Sequence, residues 1–361
     1  MAAKSLSDAI DEYVGSRSKQ YSEGTTEMRR RALSIFLRET GNINVRHLDA
    51  RHGAAFQEYL LADGSSRNKQ GYQVSTVMVY LSILSSFSKW CQHMKYMPLT
   101  NNPMATVTKL KSTPRERVMV KARDFPRLLD CASTPHDRIV TALGLYLFLR
   151  QSEIANLRIG SVDLDAGTAN VHIIKTKDRA VMPICRELDT ELRRWLAWYA
   201  NDVRDTHGPL QQTWYLVPSR HAALMKNDGT GFKGGKAMFP ATGNCRPEDM
   251  LRNVHRYAQR PLARFGVPLR GLDGTSTMEG VHTLRRSGAR ALFDSLVDQS
   301  TDGALKKVQA MLHHKHSKMT EHYLGLKAEE RELDDLLRGK PMFPQQESAN
   351  VIALHDKKNA N

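Results

Sequence analysis

Near the C-terminus an Arg, two His and a Tyr recur at spacings that suit phosphodiester chemistry: His282-Thr283-Leu284-Arg285, then His314, then Tyr323 nine residues further on. A free phenol is a poor nucleophile because its pKa lies near 10, so Tyr323 needs a neighbour to take its proton and cations to offset phosphate charge. Cations stand upstream at Arg150 and Lys175. In Leu149-Arg150-Gln151-Ser152-Glu153 the Arg is read as ending an apolar helix. Glu153 can then orient its guanidinium through a charge-assisted hydrogen bond. The plainer reading of Arg150 is a helix-terminal cation favoured by the helix dipole.

The elements that must position these groups can be read from composition and periodicity. A chain of 361 residues is long for one core, so two domains are expected. Lys and Arg number 53 against 38 Asp and Glu, a net +15 that points to a polyanionic partner, nucleic acid before a membrane surface. No apolar run approaches the roughly 20 residues needed to span a bilayer, and the N-terminus has no apolar signal core. Cys91, Cys131, Cys185 and Cys245 form no Cys-x-x-Cys pair, which suits a reduced, cytosolic protein.

The first hundred residues read as helices. One runs from Thr25 to Thr40 with Met28, Ala32, Ile35 and Phe36 on one face, one follows Asp49 as N-cap, and one starts at Ser75. From Pro98 to Val120 the chain loses periodicity and reads as a basic linker. Helices are then expected over Asp124 to Ala132 and Asp137 to Leu149. The period changes at Val171–Ile174 and Ala180–Ile184, which flank a cationic turn from Lys175 to Arg179 and read as a β-hairpin. Further helices are read near Glu187–Ala200, Asp249–Phe265, His282–Leu296 and Ala304–Leu312, with Ser219 to Arg246 as a Gly-rich surface loop. That loop holds Gly229-x-Gly231-x-x-Gly234, but no strand precedes it, so a dinucleotide site is rejected.

The order of these pieces resembles the tyrosine recombinases of the phage integrase family. The resemblance rests on Leu-Arg-x-x-Glu-x-x-x-Leu at 149–157, Lys175 eight residues before Pro183, His282-Thr283-Leu284-Arg285-Arg286, and Leu312-His313-His314 leading to Met319-Thr320-Glu321-His322-Tyr323. It implies a mainly α fold: a helical, SAM-like core-binding domain over 1–108, a basic linker over 109–120, a catalytic α+β domain with a small antiparallel sheet over 121–325, and a tail over 326–361. Arg150 and Arg285 would clamp the scissile phosphate, with a planar fork of donors that lysine lacks. Lys175 would be the general acid, with Lys177 its competitor. His282 would accept the Tyr323 proton or bond the phosphate, His314 would add a donor, and Tyr323 would carry a 3′-phosphotyrosine. The family has Gly where this chain has Phe148 and His313.

The resemblance also implies double-stranded DNA sites, a homo-tetramer exchanging strands through a Holliday junction, and accessory bending or directionality proteins. Candidate DNA contacts are Arg29, Arg30, Arg67, Lys69, Lys109, Lys111, Arg115, Lys177 and Arg286. No cofactor or metal is expected, because the run His313-His314-Lys315-His316 lacks an acidic or Cys ligand. The tail after Tyr323 carries six Lys or Arg against seven Asp or Glu, so it is read as packing on its own or a neighbouring subunit rather than on DNA. A helical start leaves no room for a separate arm-binding domain, and the long loop inclines the reading to a phage or other mobile element over an Xer-like resolver. Rival readings are a type IB topoisomerase and a non-catalytic DNA-binding protein.

Overall fold

The computed structural model describes residues 4–65, 71–111, 118–174, 178–220, 245–269, 279–297 and 300–326. The chain divides into two units, Met1–Arg115 and Glu116–Asn361. Helices α1 (Leu6–Arg17), α2 (Glu23–Thr40), α3 (Ala50–Leu61) and α4 (Val74–His93) build the first. Side-chain caps start three of them: Ser5 accepts from the Asp8 N–H, Ser22 from Thr25 and Asp49 from Arg51. Their apolar stripes meet in one core around Leu6, Tyr13, Phe36, Phe56, Leu84 and Phe87. Helix α1 escapes the sequence reading, although Leu6, Ile10, Tyr13 and Val14 share a face. The stretch after Pro98 is irregular, as expected, but its first part is no linker. Gln57 exchanges two hydrogen bonds with the Thr108 backbone, at 2.7 and 3.0 Å, and Val107 and Leu110 pack on the first core.

The second unit begins with α5 (Phe125–Asp130), α6 (Pro135–Tyr146) and α7 (Gln151–Asn156). Helix α6 is its central post, with His136, Ile139, Val140, Leu143 and Leu145 buried. It stops three residues earlier than the sequence suggests, because Phe148 takes a left-handed φ of +51°. Arg150 is therefore not the end of that helix. It is the N-cap of α7, with φ −78° and ψ 160°.

Strands β1 (Val162–Asp163), β2 (Thr168–Ile173) and β3 (Asp178–Pro183) form an antiparallel sheet in that order, with Val171 opposite Ala180. The buried side of β2 is Ala169, Val171 and Ile173, the period-2 signal read from sequence. Helix α8 (Arg186–His207) packs on α6. Strands β4 (Pro218–Arg220) and β5 (Cys245–Met250) pair antiparallel at the two ends of the Gly-rich stretch. Asp249 and Met250 are thus strand, and α9 (Val254–Phe265) begins only after Asn253, whose φ of +58° breaks the backbone.

Helices α10 (Val281–Leu296), α11 (Thr301–Leu312) and α12 (Ser317–Leu324) close the unit. They share a smaller apolar cluster of Phe148, Ala289, Phe293, Ala304, Val308, Leu312 and Leu324. The fold is mainly helical with a small antiparallel sheet, the class expected from sequence. All four cysteines are free thiols. Among the described residues no helix is long and apolar enough to cross a membrane, and no group of His, Cys, Asp and Glu is placed to hold a metal.

Candidate active site

At the start of α7, Glu153 caps the helix by accepting the Arg150 backbone N–H at 2.7 Å, and the same carboxylate accepts the Arg150 Nη1–H at 2.8 Å. The Oε2 that caps the helix also faces Arg285 Nη1 of α10 at 3.6 Å. One buried acid, 2% exposed, therefore orients two guanidinium groups. Arg285 is equally enclosed at 2%. It donates from Nη1 to the Phe148 carbonyl and from Nη2 to the Leu312 carbonyl at 2.6 Å. Arg150 Nη2 reaches the same Leu312 carbonyl at 3.4 Å.

Both carbonyls belong to left-handed turns. Phe148 itself has φ +51°, and Leu312 precedes His313, which ends α11 at φ +51°. These are the two positions where the resembling family carries Gly. The chain retains the conformation that Gly would adopt freely and bears a cost of about 1–2 kcal/mol at each non-glycine residue. Arg285 is pushed down to about 10, first by burial and then by the Arg150 charge, with Tyr323 and Glu153 acting the other way. It stays cationic at neutral pH, so the cluster holds two positive charges against one carboxylate.

Tyr323 stands on α12, half-buried. Its hydroxyl donates to the His282 backbone carbonyl at 3.2 Å, and its phenol is a hydrogen-bonding neighbour of Arg285. The His314 ring meets it edge to face, centroids 5.4 Å apart and planes at 83°. His314 is held in turn by Nδ1 against the buried Thr320 hydroxyl at 3.1 Å. His282 sits in the first turn of α10, exposed as a residue but with its imidazole partly desolvated. That partial desolvation, more than the nearby Arg285, Arg150 and Arg286 charges, lowers its pKa below 6.5. The contact between the two residues runs from the Tyr323 hydroxyl to the His282 backbone carbonyl.

The structure thus brings Arg150, Glu153, His282, Arg285, His314 and Tyr323 into one cluster inside the second unit. Lys175 and Lys177 lie outside the described residues, between strands β2 and β3. The base of that hairpin is close enough for Asp178 to bear on the His313 imidazole together with Glu153. Arg67, Lys69 and Arg115 also lie outside the described residues, as do the Gly229–Gly234 motif and the tail beyond Leu326.

Two of the expected DNA contacts turn inward. Arg286 is 8% exposed, donates to the Val118 carbonyl at 2.8 Å and pairs with buried Glu279 at 3.1 Å. Residues adjacent on a helix point about 100° apart, so with Arg285 facing the cluster Arg286 cannot share its face. Glu279 also accepts from the Thr283 hydroxyl, which itself accepts the Gly280 N–H at 3.0 Å, so this network sets the start of α10. Glu279 stands ahead of the Gly280 N-cap of α10, so no helical spacing in the sequence signals its pairing with Arg286. Arg29 stacks over Tyr21 and donates to the Tyr13 hydroxyl, bracing the first core. Arg30, Lys109 and Lys111 are exposed. Sequence reasoning missed the Phe148 and Leu312 carbonyls, Glu279 and Thr320.

The sequence profile described as the phage integrase family matches residues 119–330. Among solved structures, a lambda integrase dimer bound to a COC′ core site aligns with a TM-score of 0.58 at 16% identity, covering 95% of this chain and 81% of that one. A lambda integrase tetramer bound to a Holliday junction gives 0.59 at 16% identity over 87% and 79%. The Tn1549 transposon integrase in complex with a circular intermediate DNA gives 0.59 at 11% identity over 92% and 100%. At these identities the likeness is one of fold. Comparison with curated protein sequences finds no match.

Proposed function

Because the chain belongs to the phage integrase family of tyrosine recombinases, we propose that it cuts and rejoins duplex DNA at specific sites through Tyr323. The observation that carries this reading is the Tyr323 phenol set against Arg285, His314 and the start of α10, with both guanidinium groups fixed by one carboxylate. Arg150 and Arg285 bind the two non-bridging oxygens of the scissile phosphate and stabilise the charge that builds on them in the pentacoordinate transition state. Tyr323 Oη forms a bond to phosphorus, its proton passing to His282. The bond from phosphorus to the 5′ oxygen breaks, and Lys175 protonates that oxygen. His314 donates to the phosphate. The 3′-phosphotyrosine ester conserves the bond energy, so a 5′ hydroxyl from either duplex reverses the step without ATP.

The assembly follows the same reading. Four protomers pair two sites and exchange strands through a four-way junction, an arrangement supported by the lambda integrase tetramer on a Holliday junction with this fold. Residues 1–108 grip DNA from one side, the linker near 109–120 passes along phosphates, and 326–361 dock on a neighbouring protomer. The excess of 53 basic over 38 acidic residues supports DNA as the partner. We assign the protein to integration of a phage or other mobile element in the bacterial cytosol, with accessory bending proteins, over an Xer-like role.

The test is covalent capture. Nicked duplexes of randomised sequence, in which the strand beyond the nick diffuses away after cleavage, should select a site and yield an adduct resistant to denaturation. The adduct should vanish in Tyr323→Phe. No adduct on any sequence would support a binding protein instead, and adducts on all sequences alike would support a topoisomerase.

A further inference from the structure

Phe148 occupies a junction between the two apolar regions of the second unit. Its chain neighbours Leu147 and Leu149 belong to the main core around α6, while its own ring belongs to the C-terminal cluster with Phe293, Val308 and Leu324. The left-handed φ of +51° sends the ring away from its neighbours. The ring lies over Gly288 of α10, where an added Cβ would stand 2.7 Å from Phe148 Cε1 and 1.8 Å from the Leu145 carbonyl. Half-buried Tyr323 packs on the same cluster. At the other end of the residue, the Phe148 carbonyl accepts from Arg285.

We propose that Phe148 is a positioning residue, whose ring ties the turn that aims Arg285 to the apolar cluster that carries Tyr323. A glycine at this position would supply the carbonyl and the φ but no tie. A bulky residue accepts the strained backbone and, in exchange, cross-links the two halves of the site. The ring at 5% exposure reaches neither substrate nor solvent, so its influence runs through Arg285 and Tyr323. This inference rests on the proposed recombinase chemistry, and its signature is a loss of rate without a loss of DNA affinity.

The experiment compares Phe148→Leu with Phe293→Leu, matched losses of aromatic bulk from one cluster of which only the first lies in the Arg285-holding turn. Both keep an apolar residue; Phe148→Met replaces Phe148→Leu if the latter does not fold. Single-turnover cleavage is measured on the duplex that the wild-type chain selects, carrying either the natural phosphodiester or a methylphosphonate at the scissile position. A methylphosphonate has no charged non-bridging oxygen, so it needs less from a well-aimed guanidinium. Phe148→Leu should cleave the phosphodiester about 10-fold to 100-fold more slowly at an unchanged duplex Kd, since small misplacements of a catalytic group have effects of this size. On the methylphosphonate the deficit should shrink to about twofold, because the charge that Arg285 offsets is gone. Phe293→Leu should behave alike on both linkages. In parallel, the Arg285 side-chain N–H signals in ¹⁵N NMR of the DNA-free protein should broaden or exchange faster in Phe148→Leu only. Equal deficits on the two linkages, or equal Arg285 signals in the two variants, overturn the proposal. A wild-type protein that cleaves neither linkage overturns the recombinase reading instead, while the Arg285 signals still decide the tie.

Discussion

Glu153→Gln isolates the charge that organises the site. The carboxylate, 2% exposed, accepts from Arg150 at 2.7 and 2.8 Å and faces Arg285 at 3.6 Å. At an effective dielectric of about 20, one such pair is worth about 5 kcal/mol of Coulomb attraction. The neutral amide also has less to desolvate, so the net loss is smaller, about 2–4 kcal/mol. Glutamine keeps one oxygen for the α7 cap and turns an N–H2 group toward a guanidinium, so the arginines repel each other with no anion between them. In a unit of this size each kcal/mol shifts Tm by about 2–4 °C, and a fall of about 4–16 °C is expected. Loss of aim in the phosphate clamp should slow single-turnover cleavage by about 10²-fold to 10³-fold, the effect of removing one preorganised donor. The assay pairs thermal melting with cleavage of a nicked duplex at saturating protein. Melting within about 2 °C of wild type together with cleavage within about threefold would refute the reasoning, since neither the stability nor the aim would then depend on the charge.

Three further outcomes follow from the same contacts. The folded-state pKa values of His136, His282 and His313 lie below the ordinary 6.5, chiefly through burial, with His136 pushed to about 3. The unfolded chain therefore binds more protons below pH 6.5, and stability should fall as pH drops through that window, by about 1.4 kcal/mol at pH 5.5 from His136 alone. Urea midpoints at pH 7.5 and 5.5 check this, and equal midpoints would contradict it. Gly288→Ala should destabilise the second unit by about 1–3 kcal/mol and slow cleavage, because its Cβ meets a backbone carbonyl that cannot swing aside; a neutral effect on melting would sink the close approach of α6 and α10. Arg286→Ala should lower stability by about 3–5 kcal/mol by leaving Glu279 buried without its charge partner. The salt dependence of DNA binding should keep its slope, whereas a slope reduced by about one would restore Arg286 to the DNA contacts.

What could be read in advance was what repeats or follows a fixed order. The apolar stripe of α2 and the alternation of β2 declared their elements because burial imposes their period directly on residue type. The sequence Arg150, Glu153, His282, Arg285, His314, Tyr323 declared a shared site by its order. Backbone ligands stayed hidden, since a carbonyl has no letter in the sequence. Phe148 and His313 concealed left-handed turns because their residue types do not announce a positive φ as Gly does. The pairing of β4 with β5 was invisible for a different reason: its partners are separated by the long Gly-rich stretch, β4 has only three residues, and the polar run Arg246-Pro247-Glu248-Asp249 of β5 shows no apolar alternation. Arg286 was misplaced because charge was weighed without helical direction, although its offset from Arg285 already ruled out a shared face.

The central claim is that Tyr323 carries the cleaved strand. It is tested most directly by digesting the covalent adduct with trypsin and a nuclease and locating the retained nucleotide by mass spectrometry. Trypsin releases Met319–Lys327, in which Tyr323 is the sole tyrosine. The expected result is a 3′-linked nucleotide on that peptide, with a free 5′ hydroxyl on the released strand. A nucleotide on any other peptide, or a 5′ linkage, would contradict the account.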